Sequence, residues 1–201
     1  MTRILILLLG LFSAPALAQT GYQTQYFNVT GVAPDDTLNI RAEPEAGSAI
    51  LGELAHDATN IEVVGRDGGW AMINMGDMAG WISVSYLQQT QPESLSSGIP
   101  AGLSCGGTEP FWSAGISDET LVFSAFWAEE ESVSHSINAT PRAHGIGYPV
   151  FLMLDGGGVA SLSPDACSDW MSDATYGWTL NLVRPGVYDT AYSGCCTLRR
   201  E

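Results

Sequence analysis

The chain has 201 residues, of which 22 are acidic and seven are arginine, with no lysine, and its net charge at pH 7 is -15. A surface of this sign repels nucleic-acid backbones and anionic lipid surfaces, so we expect neither as a partner. The length suits one large domain or two small ones.

The N-terminus has the pattern of a secretory signal peptide. The stretch MTRILILLLGLFSAPALAQ contains one basic residue, Arg3, then an apolar run over residues 4–12, then the small residues Ala16 and Ala18. The apolar run is shorter than the roughly 20 residues that span a bilayer. We therefore predict cleavage after Ala18, which removes residues 1–18 and leaves a periplasmic or secreted protein without a membrane span. A retained anchor is the alternative.

Residues 26–88 have the pattern of a small all-β domain. Short apolar alternations lie between glycine-containing turns and predict strands at residues 26–32, 37–41, 61–64, 70–75 and 81–86. The side chains expected to point inward are Trp70, Trp81, Ile40, Leu51, Val63 and Ile82. The polar stretch QQTQPESLSSGIPAG that follows has no periodic apolar pattern, so residues 89–102 are predicted to be a linker.

Several motifs in this half resemble the bacterial SH3-like (SH3b) domain. They are LNIRAEP at residues 38–44, GW at 69–70, GWI at 80–82 and YL at 86–87. The resemblance implies a small β-barrel of a kind that commonly targets proteins to the cell envelope or cell wall. In some members it contacts peptidoglycan or its peptides, so peptidoglycan or an envelope protein or peptide is the expected partner.

Four residues of this half are candidate ligand-binding residues: Arg41, Trp70, Trp81 and Tyr86. A guanidinium can clamp a carboxylate, and indole faces can line a groove for a peptide or a glycan. Each has a plainer alternative. The tryptophans can be core residues, and Arg41 can pair with a nearby acid among Asp35, Asp36 and Glu43.

Residues 103–201 form a second predicted β-domain, an antiparallel barrel or sandwich. Period-two alternation predicts strands at residues 111–117, 121–127, 133–139, 148–154, 159–162, 176–183 and 192–198. A short helical turn is expected within residues 167–176. The whole chain is therefore predicted to be all-β, with an SH3-like barrel followed by a disulfide-stabilised domain.

All four cysteines lie in this second domain, at Cys105, Cys167, Cys195 and Cys196. Neighbouring side chains on a strand point to opposite faces, so we expect Cys195 and Cys196 to form two bridges, one to each of the other cysteines. The sequence leaves open which of the two pairings forms. A bond between Cys195 and Cys196 that acts as a thiol switch is the alternative. No Cys-x-x-Cys spacing is present, and we expect no metal site.

The motifs GTEPFW at residues 107–112, CSDWMSD at 167–173 and GCC at 194–196 resemble a poorly characterised family of exported bacterial β-domains. That family has no established activity to carry over. The chain departs from its pattern at Trp170, where glycine is usual, and at Tyr176-Gly177, where Tyr-Pro is usual.

We interpret the protein as a non-enzymatic binding or scaffold protein of the cell envelope, without a cofactor. The alternative is a wall or glycan hydrolase that uses the motif carboxylates Glu109, Asp169 and Asp173 as an acid and base pair. We favour the plainer interpretation, in which Asp169 and Asp173 stabilise the turn after Cys167 and Glu109 fixes the loop before Phe111.

Overall fold

The computed structural model describes residues 24–125, 132–187 and 189–198, and the predicted signal peptide lies outside them. Regular structure within these ranges consists of sixteen strands and two short 3-10 turns, which confirms the all-β prediction. None of these residues belongs to a helix that is long and apolar enough to cross a membrane.

The N-terminal part forms two sheets around a small core. Its elements are β1 Gln25–Val29, β2 Thr37–Arg41, β3 Ile50–Ala55, β4 Ile61–Val63, β5 Gly65–Asp67, β6 Trp70–Met75, β7 Met78–Ser83, a 3-10 turn Val84–Tyr86 and β8 Leu87–Thr90. One sheet has the order β3-β2-β7-β6-β5 and the other has the order β4-β1-β8. The buried residues between them are Phe27, Val29, Leu38, Ile40, Leu54, Ile61, Val63, Ala71, Ile73 and Ile82.

The prediction that Leu51 points inward is wrong. Leu51 lies on β3, a strand that the apolar pattern does not reveal, and its side chain is 39% exposed. The same strand buries Leu54, three residues away, and side chains separated by an odd number of residues lie on opposite faces of a strand. A register shift in the pairing with β2 also disturbs the alternation near this end of β3.

Trp70 and Trp81 are half-buried and lie outside the core, which also corrects the prediction that they point inward. On β6 the fully buried residues are Ala71 and Ile73, and on β7 the buried side chain is Ile82. Alternation therefore turns both tryptophans to the outer face of the five-stranded sheet.

The C-terminal part is a closed eight-stranded barrel, which decides between the two predicted architectures. Its strands are β9 Leu103–Thr108, β10 Phe111–Ile116, β11 Thr120–Ala125, β12 Val133–Ala139, β13 Val150–Leu154, β14 Val159–Ser163, β15 Trp178–Val183 and β16 Ala191–Leu198. Each pairs antiparallel with the next along the chain, and β16 returns to pair with β9. Closure leaves the barrel without a free edge strand.

Two disulfides are present, as predicted, and they use one of the two pairings that the sequence leaves open. Cys105–Cys196 joins the paired strands β9 and β16 inside the barrel core, where Cys196 is fully buried. Cys167–Cys195 lies on the other side of β16 and ties the loop before β15 to the barrel wall. Cys195 and Cys196 thus serve opposite faces of one strand.

The segment that the sequence predicts as a linker packs against the barrel. Ile99 is fully buried and belongs to the barrel core, and Ser94 pairs with Pro100 in an isolated bridge. The side chain of Arg142 donates a hydrogen bond to the carbonyl oxygen of Ser97. Leu95 also packs on this core, but two isolated apolar residues inside a polar stretch carry no periodic signal, so sequence patterning does not reveal this contact.

The two domains meet around a buried carboxylate, Glu62 of β4. The amide of Gly177 donates to its Oε1 at 3.0 Å, and the amide of Leu198 donates to its Oε2 at 2.9 Å. The Tyr26 hydroxyl donates to the same Oε2 at 3.3 Å, and the indole N–H of Trp178 donates to that hydroxyl at 2.9 Å. Two strands of the SH3-like part are therefore joined to two strands of the barrel through one polar network.

Candidate functional site

The outer face of the five-stranded sheet brings an arginine, a methionine and two tryptophans together. Trp81 on β7 lies directly opposite Arg41 on β2 and directly opposite Met72 on β6. Trp70 lies on the same face of β6, two residues from Met72. Side chains at opposite positions have Cβ atoms about 4.5–5.5 Å apart, and diagonal neighbours are within reach of large side chains. We call this set of Arg41, Trp70, Met72 and Trp81 the aromatic face.

Arg41 is held at the edge of this face by a backbone contact. Its Nη1 donates to the carbonyl oxygen of Ser48 at 2.7 Å, which ties the loop after β2 back onto the strand. Within the described part of the chain it forms no ion pair with Asp35, Asp36 or Glu43, the plainer role considered for it. A guanidinium has five N–H donors, so this one bond leaves others to bind an anionic group.

Met72 is a member of the aromatic face that the sequence motifs do not single out. Its Cε lies so close to Gly65 that a Cβ at that position would be 2.9 Å from it, which shows that Met72 covers the neighbouring strand β5. The alternation of β6 could have identified Met72 from the sequence, because it puts Trp70 and Met72 on one face of the strand.

Tyr86 does not join the aromatic face. It belongs to the 3-10 turn after β7, where its side chain is 41% exposed. Its backbone oxygen accepts a hydrogen bond from the amide of Thr30 at 2.9 Å, and its ring lies beside Gly31. The structure thus brings three of the four predicted ligand-binding residues onto one surface and leaves the fourth near the β1–β2 loop.

A barrel loop closes one end of β6. The amide of Thr175 donates to Asn74 Oδ1 at 3.0 Å, and the amide of Asp173 donates to the carbonyl oxygen of Asp77 at 3.2 Å. Asn74 shares its strand face with Trp70 and Met72 by alternation. The loop at residues 167–176 therefore limits the aromatic face at the β6–β7 hairpin.

Asp169 organises this loop, and its hydrogen bonds favour the ionised carboxylate rather than the protonated form that a general acid uses. Its Oδ1 accepts the amides of Met171 and Ser172 at 3.0 and 2.9 Å, and its Oδ2 accepts the Tyr176 hydroxyl at 3.2 Å. Burial by itself would raise the pKa of Asp169, but the hydrogen bonds donated by Ser172 and Met171 outweigh it and lower the pKa. A general acid at neutral pH needs a raised pKa instead.

The other two motif carboxylates are exposed in neighbouring loops. Glu109 lies in the turn between β9 and β10, and the Thr108 hydroxyl beside it donates to the carbonyl oxygen of Asp169 at 3.0 Å. Asp173 faces solvent next to Asp77. The segment forms bends rather than the expected helical turn, and Trp170 within it adopts a left-handed backbone conformation with φ of +60°.

The cysteines are all engaged in disulfides, and none of the four is free. Cys195 and Cys196 are bonded to different partners, so the structure contradicts a vicinal disulfide switch. Among the described residues, no group of three or more histidine, cysteine, aspartate or glutamate side chains is placed to hold a metal ion.

Two depressions lie along the seam between the domains, apart from the aromatic face. One is a cleft of about 260 Å³ whose lining includes Gln89, Gln91 and Tyr148. The other is an open groove of about 1080 Å³ between the β3–β4 side of the SH3-like part and the barrel strands β9 and β10. Neither is lined by any of the predicted ligand-binding residues.

Comparison with known proteins finds a match in the N-terminal part. Residues 36–88 match the family model described as bacterial SH3 domain. This segment is similar to members of that family. The match extends from the start of β2 into β8 and contains the whole aromatic face, whereas β1 lies before it. No curated protein and no solved structure matches the chain. The resemblance of the C-terminal motifs to an exported β-domain family stays a prediction.

Proposed function

We propose that the protein is an exported, non-enzymatic binding protein of the bacterial cell envelope. Its SH3 domain binds the peptide part of peptidoglycan through the aromatic face, and the barrel serves as a scaffold. The observation that carries this proposal is the pairing of Arg41 with Trp81 on adjacent strands. This pairing offers a cation and an aromatic surface side by side on an otherwise acidic protein.

The chemistry of the aromatic face suits a carboxylate-bearing peptide. A guanidinium binds a carboxylate through two parallel hydrogen bonds, and the contact between Arg41 and Ser48 holds that guanidinium in one position. The half-buried rings of Trp70 and Trp81 offer apolar surface to the aliphatic part of the same ligand. A rigid sheet is a suitable support because its side chains are fixed before the ligand arrives.

Export is supported by the disulfides. Such bonds persist in the periplasm and outside the cell and are rare in the cytosol. The N-terminal pattern of a basic residue, an apolar run and small residues supports the same location. Mass spectrometry of the periplasmic fraction tests it, and the expected mature chain begins at Gln19.

The proposal is tested by sedimentation of the mature protein with purified peptidoglycan. The protein is expected in the pellet with intact peptidoglycan and in the supernatant once an amidase has removed the peptides from the glycan strands. Binding that survives removal of the peptides would assign the ligand to the glycan. Absence of binding to intact material would contradict the proposal, and a fall in turbidity of the wall suspension would favour the hydrolase alternative.

A further inference from the structure

A second surface of the protein is centred on Trp170, whose side chain is 93% exposed. Tryptophan is highly buried on average in folded proteins, so such exposure is unusual. The next residue, Met171, is 61% exposed. Both residues are therefore largely open to solvent.

The loop that carries Trp170 is firmly held. The Cys167–Cys195 disulfide fixes its start to the barrel, and the Asp169 carboxylate accepts hydrogen bonds from Met171, Ser172 and Tyr176. The Thr108 hydroxyl donates to the carbonyl oxygen of Asp169 from the adjacent strand. The exposure of Trp170 is therefore built into the structure and does not come from an unsupported loop.

Backbone conformation adds a second unusual feature. The φ angle of Trp170 is +60°, in the left-handed region that side chains with a Cβ disfavour and glycine adopts readily. Sparsely populated conformations persist where surrounding contacts impose them, and they are concentrated at functional sites. A large aromatic residue at this position thus requires a reason other than stability.

The surroundings of Trp170 are acidic. Asp173 lies in the same loop and its amide is bonded to Asp77 of the β6–β7 hairpin. Glu109 is exposed in the turn beside Thr108, and Phe111, which pairs with Thr108, is 52% exposed. We call Trp170, Met171, Phe111, Asp77, Glu109 and Asp173 the Trp170 surface.

No arginine in the described part of the chain neutralises these carboxylates. Each of the four described arginines is engaged elsewhere: Arg41 with the oxygen of Ser48, Arg66 over the Phe27 ring, Arg142 with the oxygen of Ser97, and Arg184 over the Phe123 ring. The sequence contains no lysine. Among the described residues, the Trp170 surface therefore combines an exposed indole with carboxylates that have no cationic neighbour.

We propose that the Trp170 surface docks an arginine- or lysine-rich segment of a protein partner. A cation over an indole face is attracted by the ring, and the carboxylates of the same loop and of the two neighbouring turns add charge complementarity. An anionic membrane is disfavoured by the acidic surroundings and the net charge of -15. A second copy of this chain would bring like charges together. The proposal is independent of the aromatic face and of peptidoglycan.

The test uses a fluorescently labelled eight-residue peptide of alternating arginine and glycine, with a matched peptide of alternating glutamate and glycine. Fluorescence anisotropy with the mature, disulfide-bonded protein is expected to report binding of the arginine peptide only, weakened by added salt. Trp170→Ala is expected to raise Kd about tenfold, and Trp170→Phe to raise it less, because phenylalanine keeps an aromatic face.

Matched controls separate a specific site from general attraction to an acidic protein. Asp173→Asn is expected to raise Kd severalfold, whereas Glu119→Gln, an exposed acid in the β10–β11 turn, is expected to leave it unchanged. Ile146→Ala changes an apolar residue that is 76% exposed on another loop and is also expected to leave Kd unchanged. Trp170→Gly keeps the loop folded, because glycine accepts the left-handed conformation, and is expected to lose binding.

The proposal is overturned if the wild-type protein does not bind the arginine peptide, or if Trp170→Ala and Glu119→Gln weaken binding equally. Binding to vesicles of anionic lipid that requires Trp170 would assign the surface to a membrane instead. Self-association that Trp170→Ala abolishes would assign it to a second copy of the chain. None of these results depends on whether peptidoglycan binds to the aromatic face.

Discussion

Replacement of Glu62 by alanine is expected to uncouple the two domains. Glu62 lies on the SH3 side of the seam and is 8% exposed, and it accepts hydrogen bonds from the amides of Gly177 and Leu198 on the barrel side. The variant removes both acceptor oxygens, which leaves two buried N–H groups without partners and also removes the acceptor of the Tyr26 hydroxyl.

The magnitude follows mainly from the two N–H groups, because the contact of the Tyr26 hydroxyl is the longest of the three, at 3.3 Å. Each buried donor left unsatisfied costs about 1–3 kcal/mol. Part of that loss is offset because the variant no longer buries a carboxylate, which is itself unfavourable. We therefore expect the free energy of unfolding to fall by about 2–4 kcal/mol for Glu62→Ala, and by less for Glu62→Gln, which keeps one acceptor oxygen.

The same residue makes a pH-dependent contribution. Burial raises the pKa of Glu62 above its ordinary value of 4.5, against the lowering effect of the hydrogen bonds from Leu198 and Gly177. A carboxyl whose folded-state pKa is raised contributes stability that is fully present below the unfolded pKa and is lost as the pH rises through the folded pKa. The stability of the wild-type protein relative to Glu62→Gln is therefore expected to decrease above pH 4.5.

Urea denaturation followed by tryptophan fluorescence measures both effects. The wild-type protein is expected to unfold in one transition and Glu62→Ala in two, since the seam no longer couples the domains. Glu53→Ala, an exposed acid on β3, serves as the control and is expected to resemble the wild type. A Glu62→Ala protein with an unchanged midpoint and a single transition would refute this account of the seam.

Two further predictions concern the barrel. Cys196→Ser, which removes the Cys105–Cys196 bond, is expected to lower the free energy of unfolding by about 4.5 kcal/mol, and Cys195→Ser, which removes Cys167–Cys195, by about 3.5 kcal/mol. The difference arises because the closed loops span 91 and 28 residues. Equal losses in urea denaturation would contradict this loop-length argument. Burial would raise the pKa of Asp169, but hydrogen bonds outweigh it and lower the pKa in the folded state. The stability that the Asp169 carboxylate contributes is therefore present above the pKa of the unfolded state and is lost as the pH falls through the folded-state pKa. Asp169→Asn is expected to flatten the acid limb of the stability profile, and an unchanged limb would exclude this role.

Strand periodicity and cysteine chemistry could be predicted from local sequence. The alternation at β11 and β15 matches the buried residues of the barrel, for example Leu121, Phe123, Leu180 and Leu182. The two bridges at Cys195 and Cys196 follow from the opposite orientation of neighbouring side chains. Both arguments need only the geometry of a single strand.

Features that depend on two distant segments could not be predicted in this way. Alternation shows that Trp70 and Ala71 face opposite sides of β6, but it does not show which side is the core, so the expectation that the larger side chain points inward is wrong. The core of this small domain instead uses Ala71 and Ile73 where the sheets approach. Glu62 is a single charge within the apolar run at residues 61–64, but its partners in the barrel, Gly177 and Leu198, lie more than a hundred residues away.

Peptidoglycan binding by variants of the aromatic face tests the central claim most directly. The fraction of mature protein that sediments with intact peptidoglycan, titrated to give an apparent Kd, is compared for the wild type, Arg41→Ala, Trp81→Ala and the matched control Arg66→Ala. Arg41→Ala is expected to raise Kd at least about tenfold, since a hydrogen bond to a charged group contributes about 1.5–3 kcal/mol, and Arg66→Ala is expected to leave it unchanged. Equal binding by Arg41→Ala, Trp81→Ala and the wild type would contradict the assignment of the ligand to this face.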